Sequence, residues 1–111
     1  TLSPEHGRFW TNVYPIVATL PMAALVRKVI GKSFSKVSIP AFFIMSEKDQ
    51  VVRPDMIERI AKCWGGQKQV LKVVPGPNDD AEAHVLAGDI LSPDLTQQVV
   101  EKILDWFKSI K

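Results

Sequence analysis

The chain has 111 residues, about the size of one small domain. Its 46% hydrophobic and 23% charged residues are typical of a globular chain and exclude a disordered or fibrous one. The net charge is +2, with 14 basic residues scattered among 12 acidic ones. There is no basic stripe and no zinc-finger spacing, so we do not expect nucleic acid as a partner.

The single cysteine, Cys63, excludes an internal disulfide and a paired-cysteine metal site. It fits a reducing compartment, and we expect a cytoplasmic location. Prolines at positions 15 and 21 interrupt the most apolar region, residues 13–26. No stretch therefore approaches the ~18 uninterrupted apolar residues of a membrane span. The chain opens on Thr1 without a basic-then-apolar signal segment.

The first third of the chain predicts one helix between irregular segments. Residues 1–12 begin with a Ser-Pro turn signal and contain a glycine, which predicts irregular structure. Residues 22–30 predict a helix that ends at Gly31, and residues 33–38 predict a polar linker. The apolar face of that helix is formed by Leu25, Val26, Val29 and Ile30.

The rest of the chain alternates between strands and helices. The apolar runs 39–46 and 69–75 predict strands, the first of them buried on both faces. Residues 53–66 and 92–111 predict helices that start with proline in the first turn, and residues 76–91 predict a polar loop. This alternation predicts an α/β fold with parallel strands. The predicted buried stripes are Met56, Ile57, Ile60, Ala61 and Trp64 in one helix and Leu95, Val99, Ile103, Trp106 or Phe107, and Ile110 in the other.

Two strands are too few for a parallel sheet to stand alone. Parallel sheets occur almost only in larger assemblies with both faces covered. A free edge beside the strand 39–46 would also promote aggregation. We therefore expect these strands to be the end of a larger sheet, with the remainder supplied by further sequence or by another chain.

Two residues with catalytic chemistry follow the two predicted strands in equivalent places. Asp49 comes just after the first strand, and His84 lies in the loop after the second. The carboxyl ends of parallel strands share one edge of the sheet, which is where ligands bind in open α/β sheets. We expect Asp49 and His84 to meet there as an orienting carboxylate and a general base.

The order of these elements resembles the C-terminal part of the α/β-hydrolase fold, in which a triad runs serine, acid, histidine along the chain. "IPAFFIMSEKDQVVRPD" (39–55) resembles the penultimate strand with its acidic loop. "AHVLAGDILSPDLTQQVVEKILDWF" (83–107) resembles the histidine loop and final helix. "YPIVATLPMAALV" (14–26) is similar to the cap-to-core passage of bacterial carboxylesterase and lysophospholipase-like members.

The resemblance implies one partial domain over residues 1–111, with residues 1–38 as the cap-to-core passage and residues 39–111 as the last two strands with their loops and final helix. Asp49 would be the acid and His84 the base of a serine hydrolase acting by acyl transfer on small-molecule carboxylic esters, with lipid-like esters among the candidates. No cofactor or metal is implied. The sequence contains no G-x-S-x-G nucleophile elbow and no H-G-G oxyanion stretch. We expect the nucleophile upstream of Thr1 and no hydrolysis by this chain alone.

Other interpretations remain open from the residues themselves. Asp49 could be a solvated loop carboxylate, with Glu47 serving equally well, and His84 a loop histidine bonded to a backbone carbonyl. Asp79, Asp80 and Glu82 lack EF-hand spacing, so we expect a solvated acidic loop there. The rival to a hydrolase is a non-enzymatic α/β interaction module that completes its sheet by pairing with itself or another chain.

Overall fold

A computed structural model describes residues 3–110, so the predictions for residues 1, 2 and 111 lie outside the described residues. The chain divides between Ser33 and Phe34 into two compact units. The elements of the first unit are α1 (Pro4–Phe9), a short 3₁₀-helix (Ile16–Ala18) and α2 (Thr19–Ile30). Those of the second unit are β1 (Ala41–Met45), α3 (Pro54–Cys63), β2 (Lys68–Lys72) and α4 (Pro93–Ser109).

The first unit is helical and buries no side chain among its described residues. The prediction of irregular structure over residues 1–12 is wrong for α1. There the Ser3 hydroxyl accepts a hydrogen bond from the His6 amide at 3.0 Å and Pro4 occupies the first helical turn, so the pair starts a helix where a turn was predicted. The α2 helix begins at Thr19, three residues before the predicted start, and ends at Gly31 as predicted.

The second unit contains a two-stranded parallel sheet flanked by helices, so the predicted α/β class with parallel strands is confirmed. Ala41 pairs with Lys68 at one end of the register, and Met45 pairs with Lys72 at the other. The α3 helix connects the strands. Both strands are shorter than predicted, at five residues each. Only Met45 of β1 is fully buried, and its other residues are half-buried rather than covered on both faces.

The apolar core of the second unit lies between the sheet and α4. Val73, just beyond β2, packs with Leu95 and Val99 of α4. These two helix positions confirm the start of the predicted stripe, but Ile103, in the middle of it, is 41% exposed. The Phe42 and Trp106 rings stack with centroids 5.6 Å apart, which continues the contact between β1 and α4.

A short segment, residues 34–39, is held against the end of α3. The Trp64 ring stacks on Phe34 at 5.8 Å, and its Nε1 donates to the Ile39 carbonyl at 2.8 Å. The helix ends at Cys63, so Trp64 is its C-terminal cap and not part of the helix. A Cβ added to Gly65 would lie 2.0 Å from the Ser35 carbonyl oxygen, so glycine is required for this close approach. Residues 34–38, assigned by sequence to the cap-to-core passage, thus belong to the second unit.

Candidate active site

The loop after β1 fixes the Asp49 carboxylate through backbone hydrogen bonds. The Asp49 amide donates to the Ser46 carbonyl at 3.3 Å, which forms a turn directly after the strand. The Oδ1 atom of Asp49 then accepts from the amides of Val51 and Val52 at 2.8 and 2.9 Å. This arrangement immobilises the carboxylate and leaves its Oδ2 atom for another partner.

That partner is His84. Its Nδ1 atom lies 3.0 Å from Asp49 Oδ2, although the two residues are 35 positions apart. The Asp49 side chain is only 5% exposed, whereas the His84 side chain is 40% exposed. The two predicted site residues are therefore brought together at the carboxyl edge of the sheet, with the carboxylate covered and the imidazole open to an incoming group.

The surroundings of Asp49 determine whether its carboxylate or the His84 ring carries the hydrogen of the bond between them. Burial is the largest single influence and by itself raises the pKa of this carboxyl. The hydrogen bonds from Val52, His84 and Val51, together with the charge of His84, outweigh it, so the pKa of Asp49 lies below its ordinary value. An ionised carboxylate can only accept, so Nδ1 of a neutral His84 carries the hydrogen. Its Nε2 atom is then an acceptor, which is the state that a general base requires.

The loop that carries His84 is organised by Asp80. The Oδ2 atom of Asp80 accepts from the amides of His84 and Val85 at 3.1 and 2.8 Å, and its Oδ1 atom accepts from Glu82 at 3.2 Å. Asp80 is 6% exposed. The prediction that this aspartate lies in a solvated acidic loop is therefore wrong, because its oxygens accept hydrogen bonds from main-chain amides instead of from water.

Burial again raises the pKa of Asp80, but the hydrogen bonds from Val85, Glu82 and His84, together with the charge of the His84 ring, hold it below its ordinary value. Asp80 is therefore ionised at neutral pH and attracts a positively charged His84. Sequence offered one signal for this role, since an aspartate commonly bonds the main chain two residues on, as Asp80 bonds the Glu82 amide here.

The two loops are joined at their backbones. The Gln50 amide, next to Asp49 in the sequence, donates to the Glu82 carbonyl at 2.9 Å. Between Glu82 and His84, Ala83 has a positive φ of 53°, which is uncommon for a residue with a side chain. Such a conformation persists only where the surrounding structure imposes it. The turn that presents His84 is therefore held by its contacts and not by local preference.

Ser92 occupies the predicted cap position before α4 but has a different bonding role. Its hydroxyl donates to the Val85 carbonyl and accepts from the Asp80 amide at 3.1 Å, and the residue is fully buried. The helix is capped instead by Asp79, whose Oδ1 atom accepts from the Asp94 amide at 3.0 Å. Like Asp80, Asp79 is buried and not solvated as predicted.

A cleft of about 500 Å³ lies at the same edge of the sheet. It is lined by both loops, which bring polar and apolar groups to it. The lining residues are Glu47, Lys48, Gln50, Pro75, Gly76, Asp80, Ala81 and Ala83. Glu47, the alternative acid considered from sequence, is bonded to Lys72 at 2.6 Å through its side chain and is not the partner of His84.

Residues 3–110 show neither a metal site nor a membrane-crossing helix. No three histidine, cysteine, aspartate or glutamate side chains among them are gathered closely enough to bind a metal ion. None of the helices in this range has the length and apolar character needed to cross a bilayer. Cys63 is exposed, with a free thiol.

Comparison with known proteins gives no relative for this chain. No protein family model matches it, and no curated protein or solved structure matches it at a significant level. Membership of the α/β-hydrolase family therefore stays a prediction from the residues and their arrangement.

Proposed function

We propose that this chain is the C-terminal portion of a serine hydrolase that cleaves small carboxylic esters, and that it supplies the acid and the base of the triad. One observation carries the proposal. The imidazole of His84 is held at Nδ1 by a covered carboxylate 3.0 Å away and keeps an exposed face. A histidine oriented in this way by a carboxylate is the unit that activates a serine hydroxyl.

In the proposed reaction, His84 Nε2 takes the proton from a serine hydroxyl as the serine oxygen attacks the ester carbonyl. The ionised Asp49 stabilises the resulting imidazolium, and His84 then returns the proton to the departing alcohol. Water, deprotonated by the same nitrogen, then attacks the acyl carbonyl, and His84 returns that proton to the departing serine oxygen. A well-positioned base of this kind contributes ~10²–10⁴-fold to the rate.

In this proposal the serine lies upstream in the same sheet, which continues beyond the free edge of β1. Within the described residues, β1 pairs with β2 alone. Ala41 donates its amide to Gln67, and Met45 accepts from Val73, so these alternate residues direct their backbone groups at β2. The intervening Phe42 and Ile44 direct theirs to the opposite edge, because successive residues of a strand alternate in this way. A parallel strand there would satisfy those groups.

The surface of α4 supports the same requirement for a larger sheet. Four apolar side chains, spaced as one stripe of a helix, are between 41% and 67% exposed. They are Val100, Ile103, Leu104 and Phe107. On the neighbouring face, Trp106 Nε1 is buried and has no acceptor within the described part of the chain. A helix of a monomeric domain rarely leaves such a stripe uncovered, so the remainder of the hydrolase is the proposed covering partner.

The test is the replacement His84→Ala in the complete polypeptide or complex that contains this chain. We expect kcat for a short-chain aryl ester to fall by about 10⁴-fold or more. Labelling of the serine by a fluorophosphonate probe would fall with it. The matched control is His6→Ala, which removes the other histidine and leaves both quantities unchanged. Retained ester turnover in folded His84→Ala protein would refute the proposal.

The free edge of β1 favours a second candidate, a non-catalytic module that completes its sheet with another chain. Both candidates need an added strand, but only the hydrolase needs the imidazole. In a module, His84→Ala protein would assemble with its partner as the unmodified protein does, with no ester turnover in either. Multi-angle light scattering and ester hydrolysis, measured on the same samples, separate the two.

A further inference from the structure

We propose that Asp80 is a positioning residue for His84: it fixes the main chain of the histidine loop so that the imidazole meets Asp49 in the tautomer that catalysis needs. This inference rests on the proposed function for its catalytic meaning. The positioning of the histidine loop by Asp80 rests on the hydrogen bonds alone and can be tested without measuring ester hydrolysis.

The geometry of the turn carries the inference. The two oxygens of Asp80 accept three amide hydrogens from residues 82, 84 and 85, so one side chain bonds the whole segment that contains His84. Ala83, in the middle of it, holds a positive φ. Without the carboxylate, three amides would need new partners, and the conformation of Ala83 would rest on main-chain bonds such as that of its amide to the Asp80 carbonyl.

The position of the turn is also fixed relative to α4. Ser92, at the start of that helix, accepts the Asp80 amide and donates to the Val85 carbonyl, at the two ends of the turn. Ser92 is fully buried. The histidine loop is therefore attached to the helix through Asp80 and Ser92 and to the acid loop through Asp49. Both attachments are needed to place the ring.

Asp80 and Asp49 bond different parts of the histidine. Asp49 bonds the ring of His84, whereas Asp80 bonds its backbone amide and makes no described hydrogen bond to the ring. Asp80 is therefore not a catalytic residue. Its negative charge still attracts the imidazolium that forms during the reaction, which adds an electrostatic effect to the positional one.

Asp79 offers a matched control for the experiment. It precedes Asp80 in the sequence, is buried to a similar extent at 8% exposure, and also accepts two backbone amides. Those amides belong to Gly76 and Asp94, outside the turn that presents His84. Replacing either aspartate with asparagine removes one buried charge of the same kind, but only Asp80→Asn acts on the histidine turn.

The experiment follows the ring nitrogens of His84 by ¹⁵N NMR, at a pH where the ring is neutral, in the complete polypeptide or complex that contains this chain. In the unmodified protein we expect one tautomer, protonated at Nδ1. Asp80→Asn should give a mixture of tautomers and should shift the His84 and Val85 amide resonances upfield. Asp79→Asn should leave the tautomer unchanged. A folded Asp80→Asn protein with the original tautomer and amide shifts would overturn the proposal.

The activity measurement is made separately in the complete protein. We expect Asp80→Asn to lower kcat by about 10- to 100-fold, as small misplacements of a catalytic group do, with little change in KM. Asp79→Asn should keep kcat within about threefold of that of the unmodified enzyme.

If neither the unmodified protein nor its variants hydrolyse esters, the proposed hydrolase function fails, while the tautomer result still decides the positioning role. If Asp79→Asn and Asp80→Asn reduce kcat equally, the positioning role fails while the hydrolase function stands.

Discussion

Asp49 Oδ2 lies 3.0 Å from His84 Nδ1 across two loops that begin at the carboxyl ends of neighbouring parallel strands. The contact does not depend on these two side chains alone. Two amides hold the carboxylate, a second carboxylate holds the backbone of the histidine, and the Gln50 amide bonds the Glu82 carbonyl between the loops. The pair is therefore organised before any ligand binds, which lowers the cost of reaching a reactive geometry.

The lowered pKa of Asp49 predicts that the free energy of unfolding decreases at acid pH. A carboxyl whose pKa is lower in the folded than in the unfolded protein contributes stability above its unfolded pKa, ordinarily 3.8. That contribution is lost as the pH falls through the folded pKa. We expect the free energy of urea unfolding to decrease from about pH 5 to about pH 2, and Asp49→Asn to flatten part of that decrease.

The matched variant for this measurement is Asp89→Asn, which removes an exposed carboxylate of the same loop region. It should reproduce the pH dependence of the unmodified chain. If Asp49→Asn and Asp89→Asn give the same slope of unfolding free energy against pH, Asp49 does not contribute the expected acid-sensitive stability.

Ser92→Ala should destabilise the fold because it removes both hydrogen bonds of a fully buried hydroxyl. The Asp80 amide and the Val85 carbonyl would lose their partner. We expect a loss of about 1–3 kcal/mol in the free energy of unfolding, measured in urea. Ser109→Ala is the control, since that hydroxyl is exposed and bonds the Trp106 carbonyl of its own helix; it should change stability by less than ~0.5 kcal/mol. Equal effects would contradict the assigned role of Ser92.

Gly65→Ala should disrupt the contact between the end of α3 and residues 34–39. The new methyl group would lie 2.0 Å from the Ser35 carbonyl oxygen, which is backbone and cannot rotate away. We expect a loss of about 1–3 kcal/mol or more in unfolding free energy and an increase in Trp64 fluorescence quenching by acrylamide. Gly31→Ala provides the comparison, because a methyl group there meets nothing within 4 Å and φ is negative. Its expected effect is neutral or slightly stabilising.

The sequence by itself determined the parts of this protein that depend on local patterns. Apolar runs and prolines in the first helical turn predicted β1, α3, β2 and α4 to within a few residues. The placement of Asp49 and His84 directly after successive strands predicted that they would meet, because parallel strands share one carboxyl edge.

The tertiary structure alone decided how that meeting is supported. Asp79 and Asp80 look like solvated acids in the sequence, but partners up to 15 residues away bury them and satisfy their oxygens. Ser92 holds the histidine loop instead of capping its own helix for the same reason. Composition and periodicity record which side chains are polar. They do not record which backbone amides the fold brings within about 3 Å, and those amides decide whether a carboxylate is exposed to water or positions a histidine.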